Sequence, residues 1–451
     1  MRFAMPRREF AVLFAVLLTV AAGNTAMQTV LPGIARVIQI PDMLVAIIFS
    51  FSALLWTFSA PYWARQSDIR GRRRLMEVGV IGFGVSMLGC GIIIFAGLRG
   101  LLVPVATFAL FASMRSLFGI FGSASNPAAQ AYVAARTSES ERTNALASLS
   151  SAFGLGTIIG PALAPLFIIG ALGLSGPLFA FALIAVFVLI AVRRYLPDDD
   201  PTHFPGLIGA GANSLNVGSG GHGAPATEPT VSGGATGASL QAASAGRGVR
   251  LSWRDPRILP FMIFGFCSGS IQAATGQALG FLVIDTIGGN PLQAQQEIAI
   301  IFMGGAVATL LAQWGLIPMF KMTPSSLMRW GTAIAAIGTA GIAVAPDFYA
   351  LVVAFSLASL GYGFARPGFT AGASLAVGRS EQGGVAGAIT SVNGSCFVLA
   401  PAVGIGLYQL SPTLPYGLAA AALAALFIYS RRNKALGENP VVDSDSGDRL
   451  K

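Results

Sequence analysis

Long hydrophobic runs separated by short polar segments dominate this chain. The first six runs lie at about 10–31, 44–63, 76–97, 105–134, 145–170 and 176–192. The second six lie at about 258–284, 297–319, 327–345, 349–377, 384–409 and 415–430. Each run is long enough to cross the hydrocarbon core of a bilayer, which takes about 20 helical residues. The pattern predicts an all-α polytopic membrane protein with twelve transmembrane helices.

Composition supports this class of protein. Hydrophobic residues make up 54% of the chain and charged residues only 10%, which excludes an ordinary soluble domain. The net charge of +9 does not indicate nucleic-acid binding, because the basic residues lie at the ends of the apolar runs. We therefore expect the lipid bilayer, and no nucleic acid, as a partner.

The residues that usually form metal sites and disulfides are sparse. Cys90, Cys267 and Cys396 lie in three separate apolar runs, so a disulfide framework is excluded. The only histidines, His203 and His222, lie in a polar segment outside the predicted spans. We find no nucleophile–base pair and no metal cluster. The sequence thus predicts no cofactor, no metal and no enzyme.

The basic residues predict the orientation of the chain. All but four of the 28 Lys and Arg residues fall on one side if the N-terminus is cytoplasmic; the exceptions are Arg36, Arg99, Arg115 and Arg366. By the positive-inside rule, both termini are predicted to be cytoplasmic. The first apolar run lacks a clear cleavage site, which favours an uncleaved span over a signal peptide. We expect a bacterial inner, or plasma, membrane protein.

A polar segment divides the chain into two halves. We predict a six-helix bundle over 1–192, a cytoplasmic linker over 193–257, a second six-helix bundle over 258–432 and a cytoplasmic tail over 433–451. The linker is rich in Gly, Ala, Ser, Pro and Thr, which cannot bury an apolar core. It is therefore expected to act as a flexible tether.

The halves are related as repeats. Three residues recur at an offset of 240: Pro127, Glu141 and Pro161 correspond to Pro367, Glu381 and Pro401. At the same offset Arg366 corresponds to Asn126, and Phe355 to Arg115. Parallel six-helix repeats predict two pseudo-symmetric bundles around a central path.

Three motifs occur in the expected positions of a known family. The loop between spans 2 and 3 has Asp68, Gly71, Arg72 and Arg73; span 4 has Arg115, Gly119, Gly122 and Pro127; span 5 has Gly154, Gly156, Gly160 and Pro161. Together they resemble the motifs of the major facilitator superfamily. Ala64 and Gln66 depart from the usual loop pattern, and the second-half copy, over 315–329, lacks its acid and its Gly-Arg core. The span 5 motif is similar to that of twelve-span drug–proton antiporters.

The resemblance implies a secondary active transporter that works by alternating access. It further implies export of an amphipathic organic compound in exchange for protons, by a protein expected to be a monomer. Arg115 and Arg366 leave open the uptake of a small organic anion. A non-transporting membrane receptor or scaffold on the same fold also stays open, because fold alone does not define function.

Spans 1, 4, 7 and 10 line the cavity in the family that this chain resembles. The candidate substrate-binding residues on these spans are Asn24, Gln28, Arg115, Asn126, Gln130, Gln272, Gln277, Tyr362 and Arg366. Their polar groups must avoid lipid, so they are expected to face either a cavity or another helix. For Arg115 the alternative is a structural role inside the first bundle. For Arg366 it is a side chain that extends to the membrane interface.

A second set of residues is predicted to act in gating and proton coupling. The gating candidates are Asp68, Gly71, Arg72, Arg73, Gly156, Gly160 and Pro161. We expect Asp68 to meet the positive end of span 11 near 383–387, Arg72 to pair with Glu139 or Glu141, and span 5 to meet span 8. Because no carboxylate lies in the middle of spans 1, 4 or 5, Asp68 and Asp285 are the candidates for proton coupling.

Overall fold

The computed structural model describes residues 5–136, 145, 149, 152, 155–198, 254–287, 291–377 and 382–437. The predicted tether, except for its two ends, and most of the predicted tail lie outside the described residues. So do Glu139, Glu141 and the side chains of Asp68 and of residues 382–384, 386 and 387. The predictions that depend on these groups therefore stay predictions.

The described part of the first half consists of helices. They are α1 (Arg7–Ile38), α2 (Asp42–Arg70), α3 (Arg72–Leu98), α4a (Pro104–Phe121), α4b (Ser125–Arg136), α5 (Leu155–Phe167) and α6 (Gly176–Tyr195). A 3₁₀ turn, Gly122–Ala124, joins α4a to α4b, so that the two form one span.

The second half repeats this arrangement. It contains α7 (Leu259–Ile287), α8 (Pro291–Leu310), α9 (Pro324–Val344), α10 (Phe348–Leu375), α11 (Gln382–Leu410), α12 (Leu414–Arg432) and a final turn, α13 (Lys434–Gly437). After α8 the chain continues through a π-helical segment, Leu311–Leu316, into a short helical turn, Ile317–Phe320.

The predicted fold class is confirmed. Ten of the described spans are long and apolar enough to cross a membrane, and α5 is a shorter apolar helix. The 29-residue α7 is also long enough to cross a membrane, and it carries Gln272, Thr275 and Gln277. These helices are the twelve spans that the hydrophobic runs predict, with ends that differ by a few residues.

Each half is held together by its own helix contacts. In the first half α3 packs on α4a and α6, and α1 packs on α6; in the second, α9 packs on α10 and α12, and α7 on α11. Between the halves, α2 contacts α11, and α1 contacts α7 and α8. The central helices α1 and α7 therefore lie where the two halves meet.

Two backbone features follow directly from local sequence. Gly71, with φ at +90°, makes the turn between α2 and α3, a conformation that residues with a side chain rarely adopt. The 3₁₀ turn in span 4 disturbs the helical hydrogen bonds, and α2 supplies replacements. Ser59 Oγ donates to the Gly119 carbonyl at 3.0 Å, and Trp63 Nε1 donates to the Ile120 carbonyl at 2.6 Å.

Candidate functional site

Arg115 lies in the interior of the first half. Its side chain has 0% exposure, and its Nη2 donates to Asn24 Oδ1 on α1. The guanidinium carbon lies 4.3 Å from the centre of the Phe118 ring and 5.5 Å from that of Phe49. Nε and Nη1 have no hydrogen-bond partner, and no carboxylate pairs with Arg115 in the described ranges. The structure thus places Arg115 in a contact among α1, α2 and α4a.

Burying a guanidinium in this way is costly, because the charge loses its water shell. The two aromatic faces and the Asn24 amide offset part of that cost. A group enclosed on all sides cannot touch a substrate without a rearrangement of its helices. Of the two roles that the sequence leaves open for Arg115, this geometry favours the structural one.

Two other polar candidates of the first half, Asn126 and Gln130, are hydrogen-bonded to each other. Gln130 Nε2 donates to Asn126 Oδ1 at 3.1 Å, one helical turn away on α4b. Both side chains are 6% exposed, and Gln28 on α1 is also buried. All three amides are thus enclosed within the protein.

A cavity in the second half brings together three of the predicted residues. Gln272 on α7 and Tyr362 and Arg366 on α10 line it, with Arg366 partly exposed. We call this space the Arg366 cavity; its other lining residues are Gly265, Ser268, Gly269, Ala365, Phe369, Asn393, Cys396 and Phe397. Gln277 is not among them; it is buried on α7, and its Oε1 has no hydrogen-bond partner.

Sequence reasoning missed two polar residues of this cavity, Ser268 and Asn393. Asn393 lies on α11, outside the four spans on which the family resemblance focused attention. The intramembrane amide was the available signal, since a polar side chain within a span has to face protein or a cavity. Together with Arg366 and Gln272, Asn393 gives the Arg366 cavity one cation and two amides beside aromatic walls.

The gating candidates Arg72 and Arg73 lie at the end of the molecule that carries the two chain termini. Arg73 on α3 pairs with Glu77 at 3.1 Å and with Asp198 at 3.1 Å, and its Nη2 donates to the Arg193 carbonyl at 3.1 Å. These contacts tie α3 to the end of α6. Arg72 is nearly buried, at 7% exposure.

The glycines of α5 pack against α1. A methyl group on Gly156 would lie 2.6 Å from the Ala21 Cβ, and one on Gly160 would overlap Thr25 and the Ala22 carbonyl. Pro161 follows in the same buried segment. The last turn of α5, Ala164–Phe167, contacts α8. The expected approach of span 5 to span 8 is therefore made by this turn, while the motif glycines allow close packing inside the first half.

A charged cluster joins the halves at the far end, which we define as the end opposite the termini. Arg36 on α1 pairs with Asp285 on α7 at 2.8 Å and with Asp42 on α2 at 3.1 Å. Tyr408 on α11 donates a hydrogen bond to Asp285 at 2.6 Å. These four residues, the far-end cluster, come from four helices and both halves. Arg36 belongs to no sequence motif and was not predicted.

Next to the far-end cluster, helices of the two halves pack closely through apolar contacts. A methyl group on Gly280 of α7 would lie 2.6 Å from Pro32 Cγ of α1, so the two helices touch closely there. On the neighbouring pair, Gly406 of α11 lies against Met43 of α2. The halves are thus in contact at the far end.

Two six-helix halves with polar side chains at mid-helix define an integral membrane protein of the two-bundle transporter type. A family model described as Major Facilitator Superfamily matches residues 13–401, and this chain belongs to that family of transporters. No curated protein sequence matches the chain significantly.

Solved structures of other transporters share the fold. The human organic anion transporter MFSD10 (TETRAN) is 18% identical, with a TM-score of 0.58 over 94% of this chain and 100% of its own. The proton:xylose symporter XylE is 13% identical, with a TM-score of 0.58 over 94% of each chain. The nucleoside transporter NupG is 10% identical, with a TM-score of 0.68 over 95% of this chain and 100% of its own. At these identities the likeness concerns the fold alone.

Proposed function

We propose that this protein is a secondary active transporter that exports an amphipathic organic compound in exchange for protons. The observation that carries the proposal is the Arg366 cavity, in which a cation and amides lie beside aromatic side chains within a transporter fold. In this conformation the cavity has a volume of only about 20 Å³, so it would have to widen as the helices move before it could hold such a compound. Such a lining suits a molecule with an apolar body and a polar group. The span 5 motif, which is similar to that of drug–proton antiporters, supports the direction and the coupling ion.

The lining residues suggest how such a molecule would be held. Phe369 and Phe397 would pack against its apolar body, while Gln272 and Asn393 would form hydrogen bonds with its polar group. Arg366 would favour an acceptor or anionic group at the same end. Asn24, Gln28, Arg115, Asn126 and Gln130 would then support the first half of the path through contacts among its helices.

The far-end cluster is proposed as one of two gates. Its ion pair can exist only when α1 and α7 are together, so it stabilises the conformation with the far end closed. Alternating access requires the cluster to break when the far end opens. At the termini end, Asp68, with Gly71, Arg72 and Arg73 around it, is proposed to stabilise the opposite conformation.

Proton coupling is proposed at Asp285, with Asp68 as the other candidate. Asp285 faces Arg36 and Tyr408, and Asp42 lies across Arg36 from it. A proton on Asp285 would remove the negative partner of Arg36 in the second half, while Asp42 in the first half remains, and so weaken contact between the halves. Protons arriving at the far end would then favour its opening, which lets an exported substrate leave. This scheme places both termini in the cytoplasm, the protein in a bacterial inner membrane, and the transport path in one monomer.

Reconstituted full-length protein provides the test. Proteoliposomes with a lumenal pH dye would be supplied with a panel of amphipathic compounds that are cationic, neutral or anionic. We expect substrate movement to drive an opposite movement of protons. Substrate movement with protons in the same direction would contradict exchange, and transport without proton flux would contradict coupling.

A second candidate function is uptake of a small organic anion. The partly exposed Arg366 in a cavity favours it, because a guanidinium attracts an anionic group. The same panel separates the two candidates, because an anion carrier would move only the anionic members. A protein that moves no member of the panel, in an unbiased comparison of cells with and without it, would support a receptor or scaffold.

A further inference from the structure

A second polar cavity lies on the outside of the second half, where α9 begins and α12 ends. We call it the α9–α12 cavity; its volume is about 410 Å³. It is lined by Thr323, Ser325, Ser326 and Arg329 at the start of α9 and by Arg431 at the end of α12. It shares no lining residue with the Arg366 cavity and plays no part in the transport scheme above.

The described lining of the α9–α12 cavity has two arginines and no carboxylate. Across the described residues, neither Arg329 nor Arg431 forms an ion pair or a side-chain hydrogen bond, and Arg329 Nε is buried without a partner. Arg431 lies over the Phe427 ring, at 5.5 Å from its centre. Two unpaired guanidinium groups at one cavity favour a ligand with several anionic oxygens.

The start of α9 adds hydrogen-bond donors to this charge. Thr323 caps the helix by accepting a hydrogen bond from the Ser326 backbone N–H at 3.3 Å. The positive end of the helix dipole and the hydroxyl groups of Ser325 and Ser326 face the same region as the guanidinium groups. The combination of arginines, hydroxyls and a helix start is the chemistry that binds phosphate.

The surroundings of the cavity indicate a lipid as the source of the phosphate. Trp330, which lines the cavity, is 60% exposed, as expected for a tryptophan at the membrane interface. Exposed apolar side chains continue along the outside of the same two helices, among them Ile337 on α9 and Ile428 on α12. Acyl chains would lie against this surface, whereas a soluble phosphate ester would leave it unused.

We propose that the α9–α12 cavity binds the phosphate group of an anionic phospholipid. Arg329 and Arg431 hold the phosphate oxygens, Ser325 and Ser326 donate hydrogen bonds, and the acyl chains follow α9 and α12. Because α9 packs directly on α10, the lipid sits behind the helix that carries Arg366. A methyl group on Gly331, two residues after Arg329, would lie 2.5 Å from the Ala365 backbone nitrogen.

Brominated lipids quench tryptophan at short range and can test the site itself. Full-length protein would be placed in two kinds of nanodisc, one of phosphatidylcholine and one of phosphatidylcholine mixed equally with phosphatidylglycerol. In each preparation only one of the lipids is brominated. The Trp330 signal is the difference between the unaltered protein and Trp330→Phe. We expect phosphatidylglycerol to quench this signal with roughly 30-fold preference, since each of the two basic residues adds about 1 kcal/mol of attraction.

Substitutions of Arg329 and Arg431 test whether these two residues bind the lipid phosphate. Arg329→Gln with Arg431→Gln should abolish the preference, and Arg431→Gln alone, at an exposed helix end, should reduce it severalfold. Arg432→Gln, on an exposed neighbour that does not line the cavity, should leave it unchanged. Equal quenching by both lipids in the unaltered protein would overturn the proposal, as would a preference that survives in the single and double variants. Displacement of the brominated lipid by inorganic phosphate or glycerol phosphate would show a site for soluble anions instead.

Discussion

Arg115 and Arg366 are the same chemical group in the fourth helix of each half, and the structure treats them in opposite ways. Arg115 is enclosed by Asn24, Phe49 and Phe118 and has no exposed surface. Arg366 lines a cavity and is partly exposed. An arginine within a span is therefore not a substrate site by itself; the neighbours of its side chain decide what it can touch.

The repeat relation explains part of this difference. Phe355, which corresponds to Arg115, is a buried core residue whose ring lies 5.6 Å from that of Phe302. The position of Arg115 is thus a core position in both halves. Asn126, which corresponds to Arg366, is buried on α4b after the 3₁₀ turn, whereas α10 is continuous through Pro367. The two halves have the same order of helices. They differ in which helix faces line a cavity.

The largest effect is expected from Arg115→Ala. It would leave an empty space beside two aromatic rings and remove the hydrogen bond to Asn24, and should lower the free energy of unfolding by about 2–4 kcal/mol. Thermal unfolding in detergent would measure the change. Arg115→Met keeps most of the volume without the charge and should cost less than about 1.5 kcal/mol. If Arg115→Met were fully stable and yet inactive in transport, the charge itself would be functional and the contrast with Arg366 would fail.

The next effect is expected from Arg366→Gln. Loss of the cation from the cavity should weaken binding of anionic or acceptor-bearing substrates by about 2 kcal/mol, or roughly 30-fold, with little change in thermal stability. Binding measured on the purified protein, alongside its unfolding temperature, would separate the two quantities. A loss of stability equal to that of Arg115→Ala, with unaltered binding, would assign both arginines the same structural role.

A smaller effect is expected from Arg36→Gln at the far end. Removing the partner of Asp285 should shift the population toward the open far end by about 1 kcal/mol, a severalfold change in accessibility. Labelling of a cysteine introduced next to the far-end cluster would report it, and Asp285→Asn should change accessibility in the same direction. Arg99→Gln provides the control, because Arg99 lies at the same end and, within the described residues, donates to the Ala171 carbonyl and packs on Phe95 without forming an ion pair. Equal accessibility in all these variants would remove the far-end cluster as a gate.

The smallest effect is expected from Arg73→Gln. Its partners Glu77 and Asp198 lie in the same half, and Asp198 is largely exposed, so the pairs should contribute only about 0–1 kcal/mol to stability. Thermal unfolding at low and high salt would measure this contribution. A strong loss of transport with normal stability would instead place Arg73 in the gate, as the family resemblance implies.

Sequence reasoning predicted the helices well because their signal is local. About twenty apolar residues in a row are sufficient to indicate a span, and the turn at Gly71 follows from the freedom of one glycine. The grouping of Gln272, Tyr362 and Arg366 was also within reach, since each lies on a helix that the family resemblance placed at the cavity. The far-end cluster was not, because the residues around Arg36 and those around Asp285 carry no mutual signal along the chain.

The sequence by itself determined the membrane class, the twelve spans, the repeat and the family, because hydrophobic length and motif spacing are properties of the chain alone. Only the tertiary structure decided that Arg115 is enclosed while Arg366 lines a cavity, and that Asn393 lines the same cavity. It also decided that Gly156 and Gly160 pack on α1. Which side chains are buried, and which residues they contact, depends on the helix faces that pack together. Residues distant in sequence meet only when the two halves have folded and joined.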